Sequence, residues 1–192
     1  MDQRYDYPLG PGAVVLDVGA YMGNFARAAL EYWGCTVHAF EPVPEFCKHI
    51  SAGRSPAGEL IVHRFGLGGQ SGRFPMSIRN DSSSLYGDAD HPSEVVTIMD
   101  VVEAWQGLGL GDVDLLKLNV EGAEYGLLER MLMAQLMPRV RFLQVQWHGC
   151  NGHGSGPADA PSWRRTLSDR INITHEKQWE QGDRIWESWA RR

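Results

Sequence analysis

The stretch DVDLLKLNVEGAEYGLLERM, Asp112 to Met131, passes from a buried strand into a helix. Residues 113–118 are mostly apolar, which is typical of a strand covered on both faces of a sheet. One amide and two carboxylates follow at once, on Asn119, Glu121 and Glu124. A strand that ends in polar side chains and continues into a helix is the βα unit of an α/β fold. Its polar residues are candidate functional groups, because ligands of such folds lie beyond the carboxyl ends of the strands.

Short apolar segments alternate with helical patterns along most of the chain. The predicted strands are Ala13–Val18, Thr36–Glu41, Leu60–Leu67, 113–120 and Val140–His148, and helices are predicted at 23–34, 44–51 and 123–136. Residues 96–109 are predicted to pass from the end of a strand into a helix. Such alternation predicts a parallel sheet with helices on both faces. The predicted fold class is α/β, a single Rossmann-like doubly wound domain with a mostly parallel sheet.

The ends of the chain have a different character from its middle. The predicted single domain, 1–192, divides into an N-terminal extension (1–12), a core (13–148) and a tail (149–192) with a loop, a short helix and edge strands. Tail residues 171–178 and 184–190 are predicted to form an antiparallel strand pair at one edge of the sheet. Residues 68–92 are rich in turn formers and are predicted to form a hairpin or an irregular loop.

Composition excludes several classes of protein. A hydrophobic content of 43% and a charged content of 22% are typical of a soluble globular protein. The net charge of −6 argues against a nucleic-acid partner, because phosphate binding needs clustered Lys and Arg. No segment is long and apolar enough to span a membrane, and residues 1–12 do not resemble a signal peptide. The odd number of cysteines, three, favours reduced thiols and a cytoplasmic location.

The end of the first strand, LDVGAYMGNF, indicates which cofactor is bound. Gly19 and Gly23 allow a tight turn and close approach to a ligand at the start of a helix. Asp17 would repel a dinucleotide pyrophosphate and attract a cofactor that carries an ammonium and a sulfonium, which is S-adenosylmethionine. Glu41, at the end of the second strand, is placed to accept the hydroxyls of a ribose.

Neighbouring residues complete the predicted cofactor site. Small residues in FGLGG, at the end of the third strand, leave room for an adenine ring to lie flat. The full set of predicted cofactor-binding residues is Asp17, Gly19, Ala20, Tyr21, Gly23, Asn24, Glu41, Pro42, Gly66, Leu67 and Asn119. A structural alternative is that Asp17 and Glu41 merely cap the helices that follow them.

Five segments in this order resemble the FkbM-like S-adenosylmethionine-dependent methyltransferases. They are VVLDVGAYMGNFA, HAFEPVPEF, GLGGQSG, VTIMDVVEAW and DLLKLNVEGAEYGLLE. The resemblance implies a Rossmann-like methyltransferase fold and O-methylation of hydroxyls on sugars or small metabolites. By position it assigns Asp17, Gly19, Gly23 and Glu41 to the cofactor, and Glu121 and Gly122 to the family signature. The chain departs from the usual pattern at Tyr21, where Asn is frequent, and at Asn119, where Asp is frequent.

Three residues are predicted to act on the acceptor. We expect Asn119 to hydrogen-bond the cofactor or acceptor, and Glu121 to orient the acceptor or take its proton. His148, at the end of the fifth strand, titrates near neutral pH and is a second candidate base, or a structural residue. For Glu124 the favoured role is to stabilise the start of its helix. We expect no metal site, because His148, Cys150 and His153 lack a fourth ligand.

The sequence therefore predicts a cytoplasmic S-adenosylmethionine-dependent O-methyltransferase that acts on a hydroxyl of a saccharide or small metabolite. Its partner would be a small-molecule or glycan acceptor, with no nucleic acid and no membrane. Loops 68–92 and 149–161, or a second subunit of a homo-oligomer, would complete an otherwise open acceptor site. The alternatives are a catalytically degenerate cofactor-binding module and a nicotinamide-dependent oxidoreductase on the same sheet.

Overall fold

A computed structural model describes residues 3–50, 53–55, 58–78, 93–148, 165–167, 169, 173–181 and 184–191. Strands form two sheets, and helices cover them. The strands are β1 (Val14–Val18), β2 (Thr36–Phe40), β3 (Gly53–Ser55), β4 (Gly58–His63), β5 (Gly66–Gly68), β6 (Gly72–Ser77), β7 (Ser93–Asp100), β8 (Val113–Leu118), β9 (Val140–Gln146), β10 (Ile173–Gln181) and β11 (Arg184–Arg191). The helices are α1 (Asn24–Trp33), α2 (Pro44–Cys47), α3 (Val101–Gly107) and α4 (Glu124–Met133), with 3-10 turns at Gln3–Tyr5 and Met137–Arg139.

The main sheet has the strand order β10-β11-β9-β8-β1-β2-β4-β3. Strands β9, β8, β1, β2 and β4 are parallel, while β10, β11 and β3 are antiparallel to their neighbours. The α/β fold, the parallel sheet and the antiparallel C-terminal strand pair are confirmed. The chain runs outward from β1 in both directions, so the carboxyl ends of β1 and β8 border the crevice where such sheets bind ligands.

A second sheet of three strands, in the order β5-β7-β6, stands beside the main sheet. The prediction of one strand over Leu60–Leu67 is wrong, because the chain leaves the main sheet after His63 and pairs Gly66–Gly68 with β7. Gly66 and Gly68 permit this pairing: a Cβ on either would lie 2.7 or 2.8 Å from the side chain of Ile98. Part of the predicted hairpin or irregular loop at 68–92 is β6, and residues 79–92 lie outside the described residues.

Helix α1 follows the prediction closely. Its apolar face buries Phe25, Ala26, Ala29 and Trp33 against the main sheet. The helix ends at Gly34, whose left-handed φ of 61° and N–H bond to the Leu30 carbonyl form a C-cap. Helix α2 is shorter than the predicted 44–51, because the hydrogen bonds after Cys47 span three residues rather than four.

Two apolar clusters cover the faces of the main sheet. The cluster on the α1 side includes Tyr5 and Tyr7 from the predicted N-terminal extension. The larger cluster includes residues of α3, α4 and β9, together with Trp189 of β11. Among the described residues, no helix is both long and apolar enough to cross a membrane.

Candidate functional site

A cavity of 580 Å³ lies at the carboxyl ends of β1, β2 and β8. The main-sheet wall of this cavity consists of Gly19, Tyr21, Glu41, Asn119 and Glu121, which follow these strands. The small-sheet wall consists of Gly66, Leu67, Gly68, Phe74, Met76 and Ile98, on β5, β6 and β7. Helix α4 contributes Gly126 to the lining, and so does Ala123, the N-cap residue before it. The volume of the cavity is in the range of small-molecule sites, roughly 300–1,000 Å³.

Most of the predicted cofactor residues lie at this cavity. Those that line it are Gly19, Tyr21, Glu41, Pro42, Gly66, Leu67 and Asn119. Asp17, Ala20, Gly23 and Asn24 are not in its lining. Ala20 is buried in the core on the α1 side, Gly23 adopts a φ of 75° before α1, and the side-chain oxygen of Asn24 accepts a hydrogen bond from Arg27. These four residues therefore help to hold the loop between β1 and α1 in place without lining the cavity.

Gly19 is required by a close approach of two strand ends. Its φ is 77°, and a Cβ at this position would lie 1.9 Å from the main-chain oxygen of Asn119. The next turn holds Tyr21 at a φ of 51°, which Asn adopts more readily than Tyr. The ring of Tyr21 packs edge-on against Phe46, with 4.6 Å between centroids. This aromatic contact accompanies the departure from the Asn that is frequent here in the family.

Asp17 is fully buried and forms an ion pair that the sequence analysis did not predict. The Nζ of Lys117 lies 2.7 Å from Asp17 Oδ1 and donates to the Gly19 carbonyl over 2.8 Å. Our argument that the charge of Asp17 attracts a cationic cofactor is therefore wrong, because Lys117 balances that charge at close range. The pair instead holds the Gly19 turn in place. A lysine inside the apolar run of β8 was the available signal, since a buried ammonium needs an acidic partner.

Glu41 is buried at the cavity, and its carboxylate orders the loops on either side of it. One oxygen accepts the N–H of Tyr21 over 2.7 Å, and the other accepts the N–H of Val43 over 2.9 Å. Burial raises the pKa of Glu41 to about 7, although these two hydrogen bonds act in the opposite direction. Each carboxylate oxygen keeps a further lone pair with which to accept a hydroxyl from a ligand.

Asn119 brings an unsatisfied polar atom to the cavity. The main-chain N–H of Asn119 donates to Val18, which joins β8 to β1. Its side-chain oxygen, Oδ1, is buried and has no hydrogen-bond partner among the described residues. Because an unpaired buried acceptor costs about 1–3 kcal/mol, a donor on a bound ligand would be stabilising here.

The loop after Asn119 presents Glu121 to the cavity. Glu121 has a φ of 52° and Gly122 a φ of 105°, so the chain turns sharply between β8 and α4. The fully buried carboxylate of Glu124 accepts the N–H groups of Val120 over 3.0 Å and Gly122 over 2.9 Å. Glu124 therefore organises the loop, which is a larger role than the predicted stabilisation of the start of the helix.

His148 lies between two carboxylates rather than in the cavity lining. Its Nδ1 is 2.7 Å from Glu124, and its Nε2 is 3.3 Å from Glu121. Burial alone would lower the pKa of His148, but hydrogen bonds to Glu121 and Glu124 outweigh it and raise the pKa to about 9. The ring is thus an imidazolium at neutral pH. An imidazolium has no free lone pair, so the predicted role of His148 as a general base does not fit this arrangement.

The sequence matches the family described as the methyltransferase FkbM domain over residues 17–185. The chain belongs to the FkbM methyltransferase family. The family resemblance read from the five sequence segments is confirmed, and so is the cofactor, S-adenosylmethionine.

One curated relative of this FkbM-family chain matches a short part of the sequence. The 31-O-demethyl-FK506 methyltransferase FkbM of Streptomyces tacrolimicus is 57% identical over 42 residues. These residues are 21% of this chain and 16% of the relative. The match therefore spans less than a fifth of that relative's length.

Solved structures of other methyltransferases share the fold. An rRNA methylase from Streptococcus thermophilus is 11% identical, with a TM-score of 0.54 over 95% of this chain and 89% of that one. Magnesium protoporphyrin IX methyltransferase from Synechocystis PCC 6803, solved with bound S-adenosylmethionine, is 12% identical, with a TM-score of 0.53 over 95% of this chain and 71% of that one. At these identities the likeness shows the fold alone.

Four features of the cavity of this FkbM-family chain suit S-adenosylmethionine. The bare backbone at Gly19 allows close approach, and the orphan Oδ1 of Asn119 requires a donor. Glu41 offers acceptors for hydroxyls, and the small-sheet wall offers apolar surface for a flat ring. Phe74 and Met76 of that wall were not predicted, because no motif marks them. Ile98 lies in the segment VTIMDVVEAW but was not assigned to the site.

Within the part of the chain that the structure describes, no group of three or more His, Cys, Asp or Glu side chains could hold a metal ion. Of the three residues considered for zinc, Cys150 and His153 lie outside the described residues. Cys35 and Cys47 are buried free thiols.

Proposed function

We propose that this chain is an O-methyltransferase that acts on a hydroxyl of a saccharide or small metabolite. The observation that carries the proposal is the carboxylate of Glu121 on the main-sheet wall, two residues after Asn119 with its orphan side-chain oxygen. A hydroxyl must lose a proton as it is methylated, and a carboxylate is a suitable acceptor. The match of 57% identity over 42 residues to an enzyme named 31-O-demethyl-FK506 methyltransferase supports the same class.

The proposal assigns the cofactor to both walls of the cavity. Glu41 accepts the ribose hydroxyls, and the adenine lies against Pro42, Gly66 and Leu67. Gly19 and Tyr21 flank the amino-acid end, where Asn119 Oδ1 accepts from the ammonium. Asp17, Ala20, Gly23 and Asn24 support the loop from behind, as their positions outside the cavity lining suggest.

Within this proposal the residues of the chain position the acceptor and take its proton. When bound, S-adenosylmethionine supplies the methyl carbon, so a carbon–oxygen bond forms while the carbon–sulfur bond breaks, leaving an ether and S-adenosylhomocysteine. Glu121 takes the proton that the hydroxyl loses. Asn119, an amide, cannot accept that proton, and the imidazolium of His148 cannot either. Of the other carboxylates in the cavity lining, Glu41 is held by the N–H groups of Tyr21 and Val43, and Glu129 is exposed on α4. The proposed base is therefore Glu121.

A small acceptor is favoured over nucleic acid. The net charge of −6 works against binding to phosphates, although fold relatives include an rRNA methylase. The proposal also retains a single domain over 1–192, a cytoplasmic location and a possible homo-oligomer that completes the acceptor site.

Calorimetric titration is the first test. S-adenosylmethionine and S-adenosylhomocysteine should bind with micromolar affinity, and NAD should not bind. Absence of binding by the first two would leave a fold without a working cofactor site. Tight binding of NAD alone would favour the oxidoreductase alternative.

An acceptor screen with methyl-labelled S-adenosylmethionine then tests the reaction. The panel contains monosaccharides, oligosaccharides, hydroxylated small metabolites, ribosomal RNA and a protein mixture. On the acceptor that is labelled, Glu121→Gln should lower turnover roughly 10²-fold or more, because the proton acceptor is lost. Glu31→Gln, an exposed carboxylate on α1, serves as the control and should leave turnover unchanged. Labelling of RNA alone, or full turnover by Glu121→Gln, would contradict the proposal.

A further inference from the structure

Three charged side chains meet where β8 and β9 end, just behind the main-sheet wall. His148 lies between Glu121 and Glu124, with one ring nitrogen toward each carboxylate, at 3.3 and 2.7 Å. Of the three, only Glu121 lines the cavity. The side-chain exposures are 12% for His148, 15% for Glu121 and 0% for Glu124. The network is therefore largely shielded from water, so its charges interact strongly.

The carboxylate of Glu124 is fully engaged in hydrogen bonds within this network. Its carboxylate accepts the N–H of Val120, the N–H of Gly122 and a ring nitrogen of His148. Val120 and Gly122 flank Glu121, which adopts a left-handed φ that costs a residue other than Gly about 1 kcal/mol or more. The bonds from Glu124 thus hold the backbone of Glu121 in the conformation that turns its side chain to the cavity.

His148 completes the arrangement through its charge. Two carboxylates this close would repel each other, and one would take up a proton, unless a cation lay between them. The other described groups that face His148 are neutral: Gln146 approaches Nε2 at 2.8 Å, and Tyr125 donates to its main-chain oxygen. The Oε1 atom of Gln146 has no hydrogen-bond partner among the described residues. If the amide oxygen and nitrogen of Gln146 are exchanged, the oxygen accepts the N–H of the His148 imidazolium.

We propose that Glu124 and His148 are positioning residues that fix the carboxylate of Glu121 at the cavity wall, and that they do so only while His148 carries its proton. The inference rests on the proposed function of Glu121 as the proton acceptor. Loss of the His148 proton would leave the carboxylates of Glu121 and Glu124 to repel each other, and this repulsion would release the side chain of Glu121. Turnover should therefore fall on the alkaline side, above about pH 9, where His148 deprotonates.

The protonation of His148 is tested without any acceptor. Carbon–proton correlation NMR of the histidine rings, assigned with His148→Gln, should give His148 a pKa of about 9. Glu121→Gln and Glu124→Gln should each lower that pKa, and His49→Gln, which removes an exposed ring outside the cavity lining, should leave it unchanged. A pKa at or below 6.5 in the native protein, or one that neither glutamine variant moves, would overturn the inference.

The coupling to Glu121 is tested by a double-mutant cycle on the labelled acceptor. His148→Gln should lower kcat about tenfold and remove the alkaline fall, with S-adenosylhomocysteine affinity within about threefold of native. In a Glu121→Gln background the same change should have little further effect, because His148 acts through Glu121. Additive losses would overturn the positioning role. Full turnover by Glu121→Gln, with the His148 pKa still coupled, would instead overturn the proposed base and leave the charge network intact.

Discussion

The two walls of the cavity are held in place by different physical means. On the main-sheet wall, charged groups behind the lining determine the geometry: Lys117 holds Asp17 and the Gly19 turn, and Glu124 holds the Glu121 loop. On the small-sheet wall, shape determines it, since Gly66 and Gly68 make room for one side chain, that of Ile98. Changes to the charged groups of the first wall should therefore alter charge balance and chemistry, and a side chain at its Gly19 turn would meet fixed backbone. Changes to the second wall should alter packing in ways that a compensating substitution can repair.

The largest effect should come from breaking the ion pair behind the main-sheet wall. Lys117→Met leaves the buried carboxylate of Asp17 without a partner, which should lower the free energy of unfolding by about 3–5 kcal/mol. Urea-induced unfolding measures this loss. The double variant Asp17→Asn/Lys117→Met should be more stable than Lys117→Met alone, because no unpaired charge remains. A loss below about 1 kcal/mol in the single variant would show that the pair does not govern this wall.

Glycine substitutions compare the two walls directly. Gly19→Ala would place a Cβ 1.9 Å from the backbone oxygen of Asn119 at a left-handed φ, so a loss of about 3 kcal/mol in the free energy of unfolding is expected. Gly66→Ala comes closest to the terminal methyl of Ile98, at 2.7 Å, with the ring of Pro42 next at 3.3 Å, and should cost about 1 kcal/mol.

The second glycine variant has a specific rescue. Ile98→Val removes the Cδ1 methyl that the new Cβ at Gly66 would contact, so Gly66→Ala/Ile98→Val should be more stable than Gly66→Ala. Thermal or urea unfolding of the four proteins measures the effect. Failure of the rescue, or equal losses at Gly19 and Gly66, would remove the distinction between a wall fixed by backbone contact and one fixed by adjustable side chains.

The last stability comparison concerns the pH dependence of Glu41. Folding raises its pKa from 4.5 to about 7, so between these values the folded state holds a proton that the unfolded state has released. The free energy of unfolding of the native protein, relative to Glu41→Gln, should therefore fall as the pH rises through this window.

Cofactor binding should respond to pH in the opposite direction. Only the ionised form of Glu41 accepts both ribose hydroxyls in the proposed arrangement, so S-adenosylhomocysteine affinity should rise by about tenfold at most between pH 6 and 8. Calorimetry at the two pH values measures this change, with Glu41→Gln as the reference. An affinity that changes equally with pH in both proteins would assign the dependence to another group.

Local patterns predicted most of the main sheet and part of the site. The alternation of apolar strands and helices, together with the C-cap at Gly34, follows from residues close in sequence, so it can be read without tertiary contacts. Residues at strand ends, such as Gly19, Glu41 and Asn119, were likewise predictable, because parallel strands bring their carboxyl ends to one edge. The break after His63 was not, since it depends on pairing with β7, more than thirty residues further along the chain.

The sequence by itself determined the α/β architecture, the FkbM family and the cofactor, because each depends on periodicity or on motifs of adjacent residues. Only the tertiary structure decided how the charges are paired. Lys117 reaches Asp17 across a separation of 100 residues, and His148 reaches Glu124 across 24, so both pairings depend on the register of neighbouring strands. The apolar small-sheet wall and the protonation of His148 also depend on the tertiary structure. Side chains are buried and brought close to their partners only once the strands have assembled.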